Sequence, residues 1–180
     1  MKGKPALLSA VLMLLGASAG AQAPGNATVL TPVDLARIWL LEDCGLSTYS
    51  FARVFVDSRV EIVPVLVRAF DEGPPEELRA ATRQSAALAF ERRQDWLRNN
   101  RPQWLDDETA RAMQSAQSDE AIQRALVALD AKYRQQALNG LAIAGGDEAR
   151  KALERVAKSD STYKNMAEMA LRAAQSANQR

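Results

Sequence analysis

Apolar residues recur along this chain at intervals of three and four, and short polar or Gly/Pro-bearing stretches interrupt them. The clearest run is Ile122, Leu126, Leu129 and Tyr133, spaced by 4, 3 and 4, which sets all four on one helical face. Ser118 can cap this helix, although Ala121 stands where a full capping box would need Glu or Gln. The pattern predicts continuation to Ala144, a stop at Gly145-Gly146, and a following helix capped by Asp147. Ala149, Leu153, Val156 and Ala157 form the expected inner face of that helix. Ser159-Asp160-Ser161 reads as a turn, and Thr162 opens a last helix with Met166, Ala170 and Ala173 on its apolar side.

The first half follows the same grammar. Thr31 offers an N-cap, Pro32 takes the first helical position and Asp34 falls at N3, where an acid complements the helix dipole. Leu35, Ile38, Trp39 and Glu42 make an inward stripe with a polar end, and the helix should stop near Gly45. The stretch STYSFARVFV (47–56) has the aromatic and β-branched residues of a strand. Its Tyr49, Ala52, Val56 and its Phe51, Phe55 nevertheless keep helical spacing, and with helical flanks on both sides a helix is expected. Val60, Val63, Val67 and Phe70 predict the next inner face, with Pro64 bending its first turn. Asp71-Glu72-Gly73-Pro74-Pro75 is a stop. A long helix then runs through Leu97, with Ala81, Ser85, Leu88 and Ala89 as a small-residue face for a neighbour. Asn99-Asn100-Arg101-Pro102 breaks it, and Asp106 or Asp107 caps a short helix ending near Ser115. The chain is therefore all-α.

Composition agrees with that reading. Aromatics are only 6% and much of the 47% apolar content is alanine, the best helix former. A chain of 180 residues suits one domain, and its core needs no disulfide or metal.

The N-terminus carries the three-part pattern of a secretory leader. Met1-Lys2-Gly3-Lys4 is positive, Ala6 to Gly16 is an uncharged apolar run too short to span a bilayer comfortably, and Ala19-Gly20-Ala21 supplies the small residues of a cleavage site. The expected organisation is a signal peptide over 1–21, a flexible lead-in over 22–30 and a single helical domain over 31–180. The destination is the periplasm or the medium, with no stable membrane insertion after cleavage. Cys44, the one cysteine, would enter that oxidising space without a pairing partner in the chain, and burial as a small hydrophobe is its expected fate.

Charge and residue types narrow the chemistry. Two of the 23 basic residues, Lys2 and Lys4, lie in the leader and none of the 22 acids does, which turns a formal charge of +1 into −1. Such a balance gives no reason to expect nucleic-acid binding. With no histidine, the usual general base and the commonest metal ligand are missing. A single cysteine makes neither a zinc site nor a Cys–His pair. No Gly-rich phosphate loop or nucleophile elbow is present, so no cofactor and no metal are expected.

Tyr133 to Ala174, YRQQALNGLAIAGGDEARKALERVAKSDSTYKNMAEMALRAA, resembles a HEAT-like repeat of the phycobilisome-lyase-like type. Ala137 and Leu141 match its first helix, Gly145-Gly146 its turn, and Ala149, Leu153 and Ala157 its second helix. Val60 to Phe90 resembles a weaker second instance, whereas Leu97 to Ala131 departs from the pattern. The resemblance implies antiparallel helical hairpins in a short α-solenoid, with an irregular α–α bundle as the competing arrangement. It also implies a scaffold for protein partners and brings no catalytic residues with it.

Candidate sites are few. Trp39 lies on an apolar stripe and is expected in the core. Trp96 and Trp104 flank the Asn-Asn-Arg-Pro break, near Arg92, Arg93, Arg98 and Arg101. Large aromatics are mostly buried, so the first expectation is that both rings cover helix ends. If exposed, they and the arginines would form a partner-binding hot spot. The arginine cluster alone reads as a solvated face, with docking of an acidic partner as the alternative. Glu42 and Asp43, and Asp106, Asp107 and Glu108, sit at helix ends, where capping or solvation is expected rather than paired-carboxylate catalysis. The function expected is an exported, non-catalytic interaction protein, with a periplasmic immunity protein that neutralises a toxin as the alternative. Carboxylate-only hydrolysis ranks third. Mass spectrometry of the exported protein should find its N-terminus near Gln22, and an intact Met1 terminus would reject the leader.

Overall fold

A computed structural model describes residues 30–42, 48–100, 104–159 and 161–177, with backbone alone at 48, 49, 176 and 177. The expected leader, Asp43, Cys44, Gly45, Arg101 and Asp160 lie outside the described residues, as does the side chain of Tyr49. The helices are α1 (Pro32–Leu41), α2 (Thr48–Asp57), α3 (Arg59–Glu72), α4 (Glu76–Asn99), α5 (Asp107–Ser115), α6 (Ser118–Ala144), α7 (Gly146–Lys158) and α8 (Lys164–Ala177). There is no strand among the described residues.

Helix α6 organises the rest. It touches α1, α2, α3, α4, α7 and α8. Its C-terminal half buries Ala137, Leu138, Gly140, Leu141 and Ala144. Helices α6, α7 and α8 all pack on one another, so the 133–174 segment folds as three consecutive helices in mutual contact. Helices α3 and α4 make no such pair; each lies along α6 instead.

The α1–α2 corner seals one side of the core. Thr31 caps α1 as expected, with Pro32 at the first turn, and the Asp34 carboxylate reaches back to the Thr31 N–H, which makes a reciprocal capping box. Trp39, Phe51 and Phe55 meet edge to face, with centroids 5.6–5.9 Å apart. The indole Nε1 of Trp39 donates to the Gln136 carbonyl at 2.8 Å. Gln136 Nε2 and Lys132 Nζ in turn donate to the carbonyls of Glu42 and Leu41, at 2.8 and 3.1 Å. Side chains of α6 thus satisfy the carbonyls that the end of α1 leaves open.

A polar clasp closes the opposite end. Asp130 accepts from Arg134 Nε at 2.8 Å and from Arg79 Nη2 at 3.2 Å, and none of the three side chains is more than a third exposed. Arg79 also donates to the Pro74 carbonyl, and Arg134 to the carbonyls of Phe70 and Asp71. Asp71 then accepts two bonds from Arg155 of α7. Tyr163, just before α8, meets the Phe70 ring edge to face, and burial, with Asp130 nearby, pushes its hydroxyl above the usual tyrosine range. Gly73 fits inside this clasp at φ +74°, where a Cβ would come 2.8 Å from Asp130 Oδ1.

Several expected faces shift. On α3 the buried side is Ile62, Val63, Leu66 and Ala69, while Val60 is 85% exposed. Apolar residues cover most of this helix, so spacing alone admits two stripes; packing on α6 buries Ile62, Leu66 and Ala69, keeps Val63 in the core and leaves Val67 and Phe70 half-buried against it. Pro64 faces solvent within an unbroken helix, where the carbonyl it leaves unpaired can be hydrated. On α4, Ser85, Leu88 and Ala89 are exposed, and the half-buried side carries Arg79, Thr82, Ala86 and Phe90. The N-cap of α6 is Gln117 rather than Ser118, and that of α7 is Gly145 rather than Asp147, which instead pairs with Arg150. Helix α8 begins at Lys164 rather than Thr162, and on its apolar side Ala167 and Ala170 are buried whereas Met166 and Ala173 are exposed.

Leu153→Ala empties a fully buried position and should cost about 2–5 kcal/mol, whereas Leu126→Ala, at a half-buried one, should cost distinctly less. Gly140→Ala places a Cβ 2.9 Å from Leu66 Cδ1 and from Trp39 Nε1. Overpacking of roughly 1–3 kcal/mol should outweigh the gain of about 1 kcal/mol in helix propensity. Denaturant midpoints of the three variants test this, and a more stable Gly140→Ala protein would refute the close approach.

Candidate functional site

Helix α4 is 24 residues long, about 36 Å at the helical rise, and its far end leaves the main core. There it meets α5, and together they enclose a second small core of Leu97, Leu105 and Ala110, with Met113 against it. Helix α5 touches α4 and no other helix among the described residues. Gln94 Nε2 donates to the Met113 carbonyl at 2.7 Å, tying the pair together. Asp106 caps α5 by accepting from the Thr109 N–H at 2.7 Å and from its hydroxyl at 2.8 Å. These bonds, the backbone one first, hold the Asp106 carboxyl below the usual aspartate range.

This arm presents both candidate tryptophans to solvent. Trp104 is 80% exposed and Trp96 46%, so neither ring closes a helix end as first expected, whereas Trp39 is in the core. The reason is local. Leu105 and Leu97, the neighbours of the two rings, take the inward positions of the small core, which turns each indole outward.

The arginines divide. At 100° per residue, Arg92 and Trp96 share a side of α4, Arg93 lies beside them, and Arg98 falls near the opposite side. Arg98 is paired with Asp95 at 2.5 Å. Arg92 and Arg93 have no acid partner among the described residues. Arg111 of α5 and Arg124 of α6 have none either. Elsewhere in the described chain arginines are paired with acids, apart from Arg59, whose Nε donates to the Val56 carbonyl. The expected single patch is therefore two half-patches, and the arginines without an acid partner among the described residues, Arg59 apart, lie in the arm and at the adjoining start of α6.

Two hollows flank Phe90. One, of about 470 Å³, lies where α4, α5 and the start of α6 meet; its polar lining includes Arg93, Glu108 and Arg124. The other, along α4 and the end of α5, includes Glu91, Asp95 and Arg98. Of the candidate acids, Asp106 caps α5, Asp107 and Glu108 stand in its first turn, and Glu42 is the C-cap residue of α1.

Sequence reasoning missed a further cleft, of about 580 Å³, between α3 and α7. Val60, Val63, Pro64, Val67 and Ala152 line it, and Lys151 at its rim pairs with Glu148 at 2.8 Å. The signal lay in the second apolar stripe of α3. Of its residues, Val63 is in the core as expected and Val67 is half-buried against it, whereas Val60 stands open on the groove wall.

No family model, no curated protein and no solved structure matches this chain. The arm's geometry therefore carries the functional argument. Since Trp104 is exposed, Trp104→Ala should change stability by no more than about 0.5 kcal/mol. A large drop in thermal midpoint would restore the view that the ring supports the fold.

Proposed function

We propose that this protein is an exported, non-catalytic helical module that binds a protein partner through the arm formed by α4 and α5. The observation that carries this reading is Trp104, a large aromatic left 80% exposed beside a small core that holds its turn in place. Exposed tryptophan near arginine is the composition in which interface energy concentrates. Trp96, Arg92 and Arg93 extend the same surface along α4. Support also comes from the helical hairpins of the 133–174 segment, whose HEAT-like resemblance fits a scaffold that presents a binding edge. The leader-like N-terminus supports export, which sets the compartment for the search.

The test is capture from a periplasmic extract by the mature chain carrying an affinity tag. Trp104→Ala and Trp96→Ala should each weaken retention of the partner by about 1 kcal/mol or more, roughly fivefold. Circular dichroism and thermal midpoint should stay as in the parent protein. Undiminished capture by both variants would remove the arm from the binding surface.

A further inference from the structure

We infer that the cleft where α4, α5 and α6 meet receives an acidic segment of the partner, with a large apolar side chain seated against Phe90 and Met113. This rests on the reading that the arm binds a protein, and it adds the chemistry that the partner must bring. Arg93 from α4 and Arg124 from α6 both line the hollow, and neither has an acid partner among the described residues. They stand on different helices, so they can grip carboxylates from two sides. The lining acid is Glu108, which leaves the cleft with an excess of one positive charge.

The distribution of ion pairs strengthens the case. Apart from Arg59, arginines of the main body are matched to acids, usually one helical turn away, as in Arg53–Asp57, Arg68–Glu72 and Arg172–Glu168. Arg92, Arg93 and Arg111 of the arm, and Arg124 of α6 beside it, have no acid partner among the described residues although acids stand close in sequence, Glu120 being four residues before Arg124. Unmatched guanidinium groups beside an apolar hollow suit an anionic, partly apolar guest, because Arg recognises carboxylates with two parallel hydrogen bonds. The floor supplies the apolar part. Phe90 and Met113 are half-buried, and Ala112, Ala116 and Ala121 leave room above them. A volume of about 470 Å³ is within the range of roughly 300–1,000 Å³ typical of ligand pockets. Since α5 touches no helix but α4 among the described residues, the cleft can widen without disturbing the main core.

Selection of a displayed library of random peptides on the full mature chain tests this. Enriched peptides should carry Asp or Glu within a few positions of a Leu, Met, Phe or Trp. A synthetic peptide of the enriched sequence should lose affinity tenfold or more, by fluorescence anisotropy, for the Arg93→Glu/Arg124→Glu variant. Replacing its acids with Lys should recover part of that loss. Both arginines are exposed and have no acid partner among the described residues, so the variant should fold; if its circular dichroism changes, Arg93→Gln/Arg124→Gln takes its place. No enrichment, enrichment without acids, or equal affinity for the double variant would overturn the assignment. The extract experiment separates the two readings. Partner capture lost in Trp104→Ala but kept in the arginine variant leaves the arm as the binding surface and removes the cleft. Capture kept in every variant removes both.

Discussion

The fold depends on how closely other helices can approach the C-terminal half of α6. Ala137, Gly140 and Ala144, spaced by three and four, give that half a low ridge, and Leu138 and Leu141 stand beside it. Leu66 and Trp39 fill the space that a Cβ on residue 140 would occupy. A glycine inside a helix costs about 0.5–1 kcal/mol relative to alanine, and here it admits α1 and α3 together. With the Trp39 indole against α6, its N–H reaches a main-chain carbonyl and Phe51 and Phe55 close over it. Removing that approach would separate the aromatic corner from the rest of the core.

The Asp130 clasp does at the other end what apolar packing does in the middle. The turn between α3 and α4 exposes carbonyls at Phe70, Asp71 and Pro74, and Arg134 and Arg79 satisfy them while both bind Asp130. A carboxylate with two guanidinium partners in partial shelter is worth more than the exposed pairs along the helix faces. It also fixes where α4 departs, and so sets the direction of the arm.

The existence and order of the helices were legible because their stops are local. Gly73 with two prolines, Asn99-Asn100 and Gly145-Gly146 each end a helix by backbone chemistry that needs no tertiary context. The α2 segment, with strand-like composition, still folds as a helix because Phe51 and Phe55 need one face to meet Trp39. Faces were less legible. On α3 apolar residues fall on more than one side, and on α4 the alanines are spread around the helix, so which side is inside follows from the neighbour rather than from spacing. The candidate site was half legible. Sequence brought tryptophan and arginine into one stretch, but only the small core of Leu97, Leu105 and Ala110 shows that both rings turn outward. Arg124 and Phe90 were beyond reach, since the contact between α4 and α6 that pairs them is tertiary.

Two cores of unequal size imply two scales of stability in one chain. The main cluster joins α1, α2, α3, α6, α7 and α8, so opening any one of these helices exposes side chains on several others. The arm's cluster joins α4 and α5 alone, and opening α5 exposes little beyond Leu97, Leu105, Ala110 and Met113. Binding surfaces are drawn from such low-stability units because they can adjust without unfolding the whole. Two outward tryptophans and unpaired arginines would weaken a core element, through lost packing and unmatched charge. Carried on α4 and α5, beyond the clasp that anchors α4, they leave the main core untouched. The division of labour follows from where α4 lies, against the start and middle of α6 rather than its buried C-terminal half.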